Sequence, residues 1–252
     1  FGMISIKPIM AITGATGYIG RDLTARAIAA GWKVRSLSRR PFKGCPGDKD
    51  LGENIEWISY DMARPVSGNA LTDAAVLIHL AADTTLQATK EKECQAAEAL
   101  IDAARAYHVP FIFISSQTAS PHAPSEYGRG KFMVEQLIRQ YGGYIIRPGL
   151  VFGVHESGLY GKLCQLIRWL PALPDIRPAP QVWPIHLADL NEIIMKLTER
   201  LREKSEHAPP FEFNIASDKP ISITEFLRQI ADRRVRKTRI FIPVPRGILS
   251  LF

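Results

Sequence analysis

The stretch Thr13–Gly20, TGATGYIG, constrains the fold of this chain more than any other. It follows Pro8–Thr13 (PIMAIT), an apolar run that reads as a buried strand. It precedes Asp22–Ala30, a helical pattern stopped by Gly31. Gly14, Gly17 and Gly20 therefore sit in a strand–turn–helix with G-x-x-G-x-x-G spacing. There the first glycine permits the tight turn and the second lets the backbone approach a pyrophosphate. The third lets the helix pack closely on the strand. Free N–H groups and the helix dipole favour an anion at that helix end. Gly14, Thr16, Gly17, Tyr18, Ile19 and Gly20 are thus candidate dinucleotide contacts. The bland alternative is a tight turn with no ligand.

The rest of the chain continues the alternation. Strands are expected at Lys33–Ser38, Ile55–Tyr60, Ala75–Ala81, Pro110–Ser115 and Tyr144–Arg147, with helices over 91–106 and 126–140. Near-continuous apolar strands separated by helices imply a parallel sheet covered on both faces. The expected class is α/β, a Rossmann-type doubly wound parallel sheet with a smaller C-terminal substrate-binding lobe. Residues 1–152 would form the dinucleotide-binding core, with 184–201 returning to it. Residues 153–183 and 202–252 would form the lobe. After Pro148 the rhythm loosens into a short helix near Leu159–Leu170, a proline-rich loop, a helix over 187–201 and a short strand at Glu212–Ile215. Ser222 and Glu225 form an S-x-x-E capping box before a helix carrying Phe226, Leu227 and Ile230.

Composition narrows the class further. The hydrophobic fraction of 46% fills an ordinary core, and no apolar run is long enough to span a bilayer. Cys45, Cys94 and Cys164 have no metal-ligand spacing and read as reduced thiols, so the expectation is a soluble, cytoplasmic protein with no metal site. The net charge of +7 suits a solvated basic surface first and an anionic small molecule second. The densest basic run, Arg233–Arg239, has no interleaved aromatics and leads into apolar Ile240–Ile242, so it reads as a helix end and loop before a strand. No nucleic-acid-binding module is present.

Residues 126–131 read EYGRGK. Tyr127 and Lys131 are one helical turn apart on one face. A phenol ionises near pH 10, too high for a base at neutrality, and a nearby ammonium is expected to lower that value. The two intervening glycines are unusual inside a helix and suggest close packing or room for a cofactor.

Taken in order, these motifs resemble the extended branch of the short-chain dehydrogenase/reductase superfamily, which includes nucleotide-sugar epimerases, dehydratases and reductases. The resemblance covers essentially the whole chain. It implies that Asp61–Met62 contact the adenine ring and that Leu80–Ala81–Ala82 pass under the cofactor. It places Ser116, Tyr127 and Lys131 at the catalytic Ser/Thr and Y-x-x-x-K positions, with Lys131 also on the nicotinamide ribose. Arg147–Pro148–Gly149 and Trp183–Leu190 (WPIHLADL) resemble two further family segments. Arg147 and Pro148 then belong to the cofactor side, and Thr84, Gln117, Thr118 and Gly149 to the substrate side. A homodimer is implied in the same way.

The second strand ends in Ser38, where an acid would recognise the ribose 2′-OH. Arg39 and Arg40 follow, so NADP is favoured over NAD, because an arginine pairs with a 2′-phosphate. The dehydratase-type Asp-Glu pair is replaced by Gln117–Thr118, which disfavours dehydration. The expected function is NAD(P)-dependent oxidoreduction or epimerisation of a nucleotide-activated sugar. Reduction of another small ketone, or a non-catalytic dinucleotide-binding role, remain the alternatives. Ala119–Ser120–Pro121 replaces the family's V-Y-G stretch, and the chain is shorter than most extended members, so a different substrate loop and an incomplete lobe are expected.

Overall fold

In the computed structural model, the structure describes residues 7–42, 52–82, 89–153, 155–203 and 209–245. The elements run β1 (Ile9–Thr13), α1 (Tyr18–Ala29), β2 (Lys33–Ser38), β3 (Ile55–Ser59), β4 (Ala74–His79), α2 (Lys90–Ala106), β5 (Phe111–Ile114), α3 (Glu126–Tyr141) and β6 (Tyr144–Pro148). They continue with β7 (Leu150–Phe152), α4 (Gly158–Trp169), β8 (Ala172–Arg177), β9 (Gln181–Val182), β10 (Pro184–His186), α5 (Leu187–Glu203), β11 (Glu212–Ile215), β12 (Ile221–Ser222), α6 (Ile223–Gln229) and β13 (Ile240–Pro245).

Seven strands form one sheet in the order β11-β6-β5-β4-β1-β2-β3. The pairings from β6 across to β3 are all parallel. This is the doubly wound order, reversing direction between β4 and β1. The chain divides into two compact units. One holds the chain up to Pro148 together with Ala188–Asn214, and the other holds Gly149–Leu187 and the chain from Ile215.

The core of the first unit comes from the apolar strands and one face of each flanking helix. Leu77, Phe111, Phe113 and Ile145 from the sheet pack with Ala97, Leu100 and Ala104 of α2 and Val134 and Ile138 of α3. Thr89 and Ser125 cap α2 and α3 by accepting from Lys92 N and Gly128 N. Gly142, at φ +87°, ends α3. In α5, Asn191 donates to Ile19 O at 3.2 Å and to Asp22 Oδ2 at 2.9 Å, which fastens that helix to α1. The second unit has its own core around Tyr160, Cys164, Ile167, Leu173, Phe226 and Ile230. The expected capping box forms, with Ser222 Oγ accepting from Glu225 N at 3.0 Å.

Two differences from the sequence reading have a clear physical reason. Helix α1 starts at Tyr18, four residues before the expected Asp22, because Gly17 is itself its N-cap. The proline-rich segment expected as loop contains β8, paired in parallel with β13 over Ala172–Arg177. Among the described residues each strand of this pair has one partner, so its prolines cost no ladder bond on the outer edge. No helix among the described residues is long and apolar enough to cross a membrane.

Candidate functional site

The glycine turn sits where the sheet order reverses. Gly14 has φ +70°, and a Cβ there would lie 2.8 Å from Ala81 N, so only glycine fits between the ends of β1 and β4. A Cβ on Gly20 would fall 2.3 Å from Gly14 O, which is how closely α1 packs back on its own turn. Gly17 caps α1 without a side chain, and the first helical turn carries no acid. The result is a cradle of backbone with the positive end of a helix dipole facing outward, which fits a dinucleotide diphosphate. Thr16, Tyr18 and Ile19 line the same turn and are partly exposed.

Below the turn, Thr13 Oγ1 accepts from Leu80 N and Ala81 N, both at 3.2 Å. It lies 2.6 Å from His79 Nδ1. With its lone pairs facing two amides, the hydroxyl donates to Nδ1. His79 then carries its proton on Nε2, a buried atom with no hydrogen-bond partner among the described residues. The ring is fully buried and stacks on Phe113 at 5.6 Å. Burial first, and then the charge of Lys131, hold its pKa down to about 3. A neutral histidine thus ties the ends of β1 and β4 together beneath the turn. It was visible as the polar residue inside AVLIHLA, but sequence reasoning gave it no role.

At the end of β2, Ser38 is buried and donates to Arg40 O at 2.7 Å. Arg39 and Arg40 have exposed side chains beyond it. Asp61 and Met62 follow β3, half-buried, and Leu80, Ala81 and Ala82 follow β4, also half-buried. The guanidinium of Arg147 is taken up by carboxylates: Nε donates to Glu135 Oε1 at 2.7 Å and another nitrogen pairs with Glu212. Pro148 is buried, and its carbonyl accepts from Gln117 N at 3.2 Å. Thr84 lies outside the described residues.

Tyr127 and Lys131 share one face of α3. The Lys131 ammonium is 5.7 Å from the Tyr127 ring centroid and 4.7 Å from that of Phe113, and it donates to Ile114 O at 3.3 Å. It therefore lies at the C-terminal end of β5, the strand that leads to Ser116. Lys131 is only 2% exposed, and burial pulls its pKa down while Glu93 and Glu135 push it back up. Ser116 Oγ accepts from Thr118 N at 3.2 Å and lies 2.9 Å from Thr118 Oγ1. Gln117 and Thr118 are exposed on this turn. In the second unit, Gly149 donates to Ile215 O at 2.9 Å and packs against Trp183.

Of the two odd glycines of α3, Gly128 is required by packing, whereas the space at Gly130 would admit a methyl group. A Cβ on Gly128 would lie 2.6 Å from Ala123 Cβ and 2.7 Å from Thr118 O, so this glycine lets the turn after Ser116 rest on the helix. Gly130 faces α2, where a Cβ would meet Lys90 Cα at 3.4 Å and Glu93 Cγ at 3.5 Å. The Tyr127 phenol departs from expectation. Burial and then the charge of Glu93 push it up to about 12, so it is protonated at neutral pH. Glu93 went unnoticed in the sequence, although it lies on the buried face of α2 with Ala97, Leu100 and Ala104 and breaks an apolar stripe.

The profile of the NAD dependent epimerase/dehydratase family matches residues 10–170. A ceramide reductase of Caulobacter vibrioides is 33% identical over 190 residues, 73% of this chain and 58% of that protein. A mitochondrial NADH dehydrogenase [ubiquinone] 1 alpha subcomplex subunit 9 of Dictyostelium discoideum is 25% identical over 96% of this chain and 68% of its own length. The chain thus spans less than two thirds of the ceramide reductase. Among solved structures, a UDP-galactose 4-epimerase superposes with a TM-score of 0.72 at 17% identity, covering 94% of this chain and 86% of that one. The glycine cradle at the sheet's reversal point and the match across residues 10–170 lead to one conclusion: the chain belongs to the NAD dependent epimerase/dehydratase family.

Proposed function

We propose that this chain is an NADP(H)-dependent ketone reductase in which Tyr127 donates the proton, supported by Lys131 and Ser116. The observation that carries the reading is the pairing of Tyr127 and Lys131 on one face of α3, with the ammonium bonded at the end of the strand that leads to Ser116. A phenol pushed up to about 12 is held in its protonated form, the form that delivers a proton to an alkoxide as it develops. The Lys131 charge favours that developing negative charge in a low-dielectric site. Ser116 orients the carbonyl oxygen by donating a hydrogen bond. When bound, the nicotinamide supplies the hydride. Gln117 and Thr118 offer no carboxylic acid to move a proton at a neighbouring carbon, which argues against dehydration.

Two facts shape the substrate and cofactor choice. The sequence likeness to a ceramide reductase is stronger than the likeness to the sugar-nucleotide enzyme, which at 17% identity reflects a common fold. A ketone outside the nucleotide sugars is therefore the preferred substrate class. Exposed Arg39 and Arg40, beyond a Ser38 that presents no carboxylate, support NADP. The test is oxidation of NADPH and NADH by the purified protein with a panel of aliphatic ketones and with UDP-sugars. NADPH-dependent reduction that falls about a hundredfold or more in Tyr127→Phe is expected. Interconversion of UDP-sugars with a retained cofactor would replace this reading with an epimerase. A second reading, a non-catalytic subunit of a larger assembly, is favoured by the likeness to the NADH dehydrogenase subunit over 96% of the chain. Tight dinucleotide binding with no turnover of any substrate would support it.

A further inference from the structure

The small β8–β13 sheet of the second unit has apolar residues on both faces. Its strands run parallel, with Ile240 opposite Ala172 and Val244 opposite Ile176. Paired residues share a face, and successive residues along a strand alternate between faces. Leu173 and Phe241 are one such pair and pack in the core of this unit. The opposite face therefore carries Ala172, Pro174, Ile176, Ile240, Ile242 and Val244, with no polar side chain among them. Ile240 is 67% exposed and Ile242 is 52% exposed. Single exposed apolar residues are ordinary, but a whole face of them marks an interaction surface.

Parallel pairing also brings the segments that lead into the two strands to one end of the sheet. Trp169 and Leu170 precede β8, and Arg236, Lys237 and Arg239 precede β13. The two leads touch: Ile240 N donates to Pro171 O at 3.2 Å, and Arg239 Nε donates to Ile167 O at 2.6 Å. Trp169 is 84% exposed. Glu156 pairs with Arg168 and Arg234, whereas Arg233, Arg236, Lys237 and Arg239 form no ion pair among the described residues. The end of the sheet thus joins a bare indole to a set of cations that no carboxylate balances.

We propose that this end and outer face of the β8–β13 sheet dock on the surface of an anionic lipid bilayer. Ile240, Ile242 and Trp169 enter the headgroup region, and the basic run meets the lipid charges. A protein partner would need polar groups to fix its register, and this face offers none. An indole is stable at the boundary between hydrocarbon and water, and cations beside it are drawn to anionic headgroups. The charge distribution agrees. Eleven basic and five acidic residues fall in the second unit, so nearly all of the net charge of +7 resides there. The inference does not depend on the catalytic reading of Tyr127 and Lys131.

The test uses the intact chain with vesicles of phosphatidylcholine, alone or mixed with phosphatidylserine. Sedimentation with the mixed vesicles is expected, with little on phosphatidylcholine alone and release at high salt. Arg236→Gln and Lys237→Gln should each weaken binding by about fivefold. Ile240→Ser together with Ile242→Ser should weaken it by about tenfold or more. Tryptophan emission gives a reading on the unaltered chain: brominated phosphatidylcholine in the mixed vesicles should quench it, and Trp169→Phe should remove the quenched part. Failure to sediment with the mixed vesicles overturns the proposal, as does equal sedimentation with both kinds. Binding that the isoleucine and basic variants leave unchanged overturns it too, and so does a wild-type emission that brominated lipid does not quench. A dimer that the isoleucine variant dissociates, with no vesicle binding, would assign the face to a second copy of the chain instead.

Discussion

Replacing Glu135 with glutamine should destabilise the first unit strongly, because its carboxylate ties α3 to β5 and β6. The carboxylate is fully buried on α3 and accepts four hydrogen bonds from three residues. Ser115 Oγ donates to it at 2.6 Å from the end of β5, Arg147 donates twice from β6, and Arg139 donates from its own helix at 3.3 Å. Glu212 on β11 then accepts from Arg139 at 2.7 Å and pairs with Arg147, extending the network to the edge strand. A glutamine at 135 keeps one acceptor but turns an amide N–H₂ toward guanidinium donors. Removing one member of a buried ion pair costs about 3–5 kcal/mol, because the surviving charge stays buried. Here the low end applies: Arg147 is 19% exposed and keeps Glu212, and Arg139 reaches solvent. A loss of roughly 3 kcal/mol lowers Tm by about 6–12 °C for a chain of this size. Thermal and urea unfolding of wild type, Glu135→Gln, Arg147→Met and the double variant would measure it. The double variant should lose less than the sum of the singles, with coupling of about 1–3 kcal/mol. A Glu135→Gln protein with unchanged Tm, or strictly additive singles, would refute the claim that this network holds α3 to the sheet.

Other outcomes follow from the site. Gly20→Ala forces a Cβ to within 2.3 Å of Gly14 O, so it should destabilise by about 1–3 kcal/mol and weaken NADPH binding measured by fluorescence titration. Arg40→Ala together with Arg39→Ala should cut NADPH affinity by about tenfold or more while leaving NADH affinity within twofold, if each arginine contributes an ordinary charge-assisted bond. His79 gives a pH signature. Its folded pKa of about 3 lies below its ordinary value near 6.5, so the unfolded chain binds more protons between those limits. Its contribution is therefore fully present above about pH 6.5 and is lost as pH falls toward 3, with a limiting slope of about 1.4 kcal/mol per pH unit. Urea midpoints between pH 7 and pH 5 should fall for wild type and fall less steeply for His79→Phe.

Much of the protein was legible before any coordinates. The apolar runs at β1, β4, β5 and β6, alternating with helical patterns, are what a parallel sheet covered on both faces requires, and the glycine spacing after β1 indicated what kind of turn follows. The four-residue interval from Tyr127 to Lys131 was enough to put both on one face of a helix. Strand β8 was hidden because its prolines read locally as loop, and only the partner strand β13, more than sixty residues away, makes it a strand. The same limit applies to charge. Sequence shows an ammonium four residues from a phenol and implies a lowered phenol pKa. Tertiary packing decides otherwise, by burying the ring and bringing Glu93 across from another helix. Periodicity is a property of neighbours along the chain and survives in the sequence. Desolvation and through-space charge depend on groups that only folding brings together, which is why the sheet could be read from the residues while the ionisation of the site required the structure.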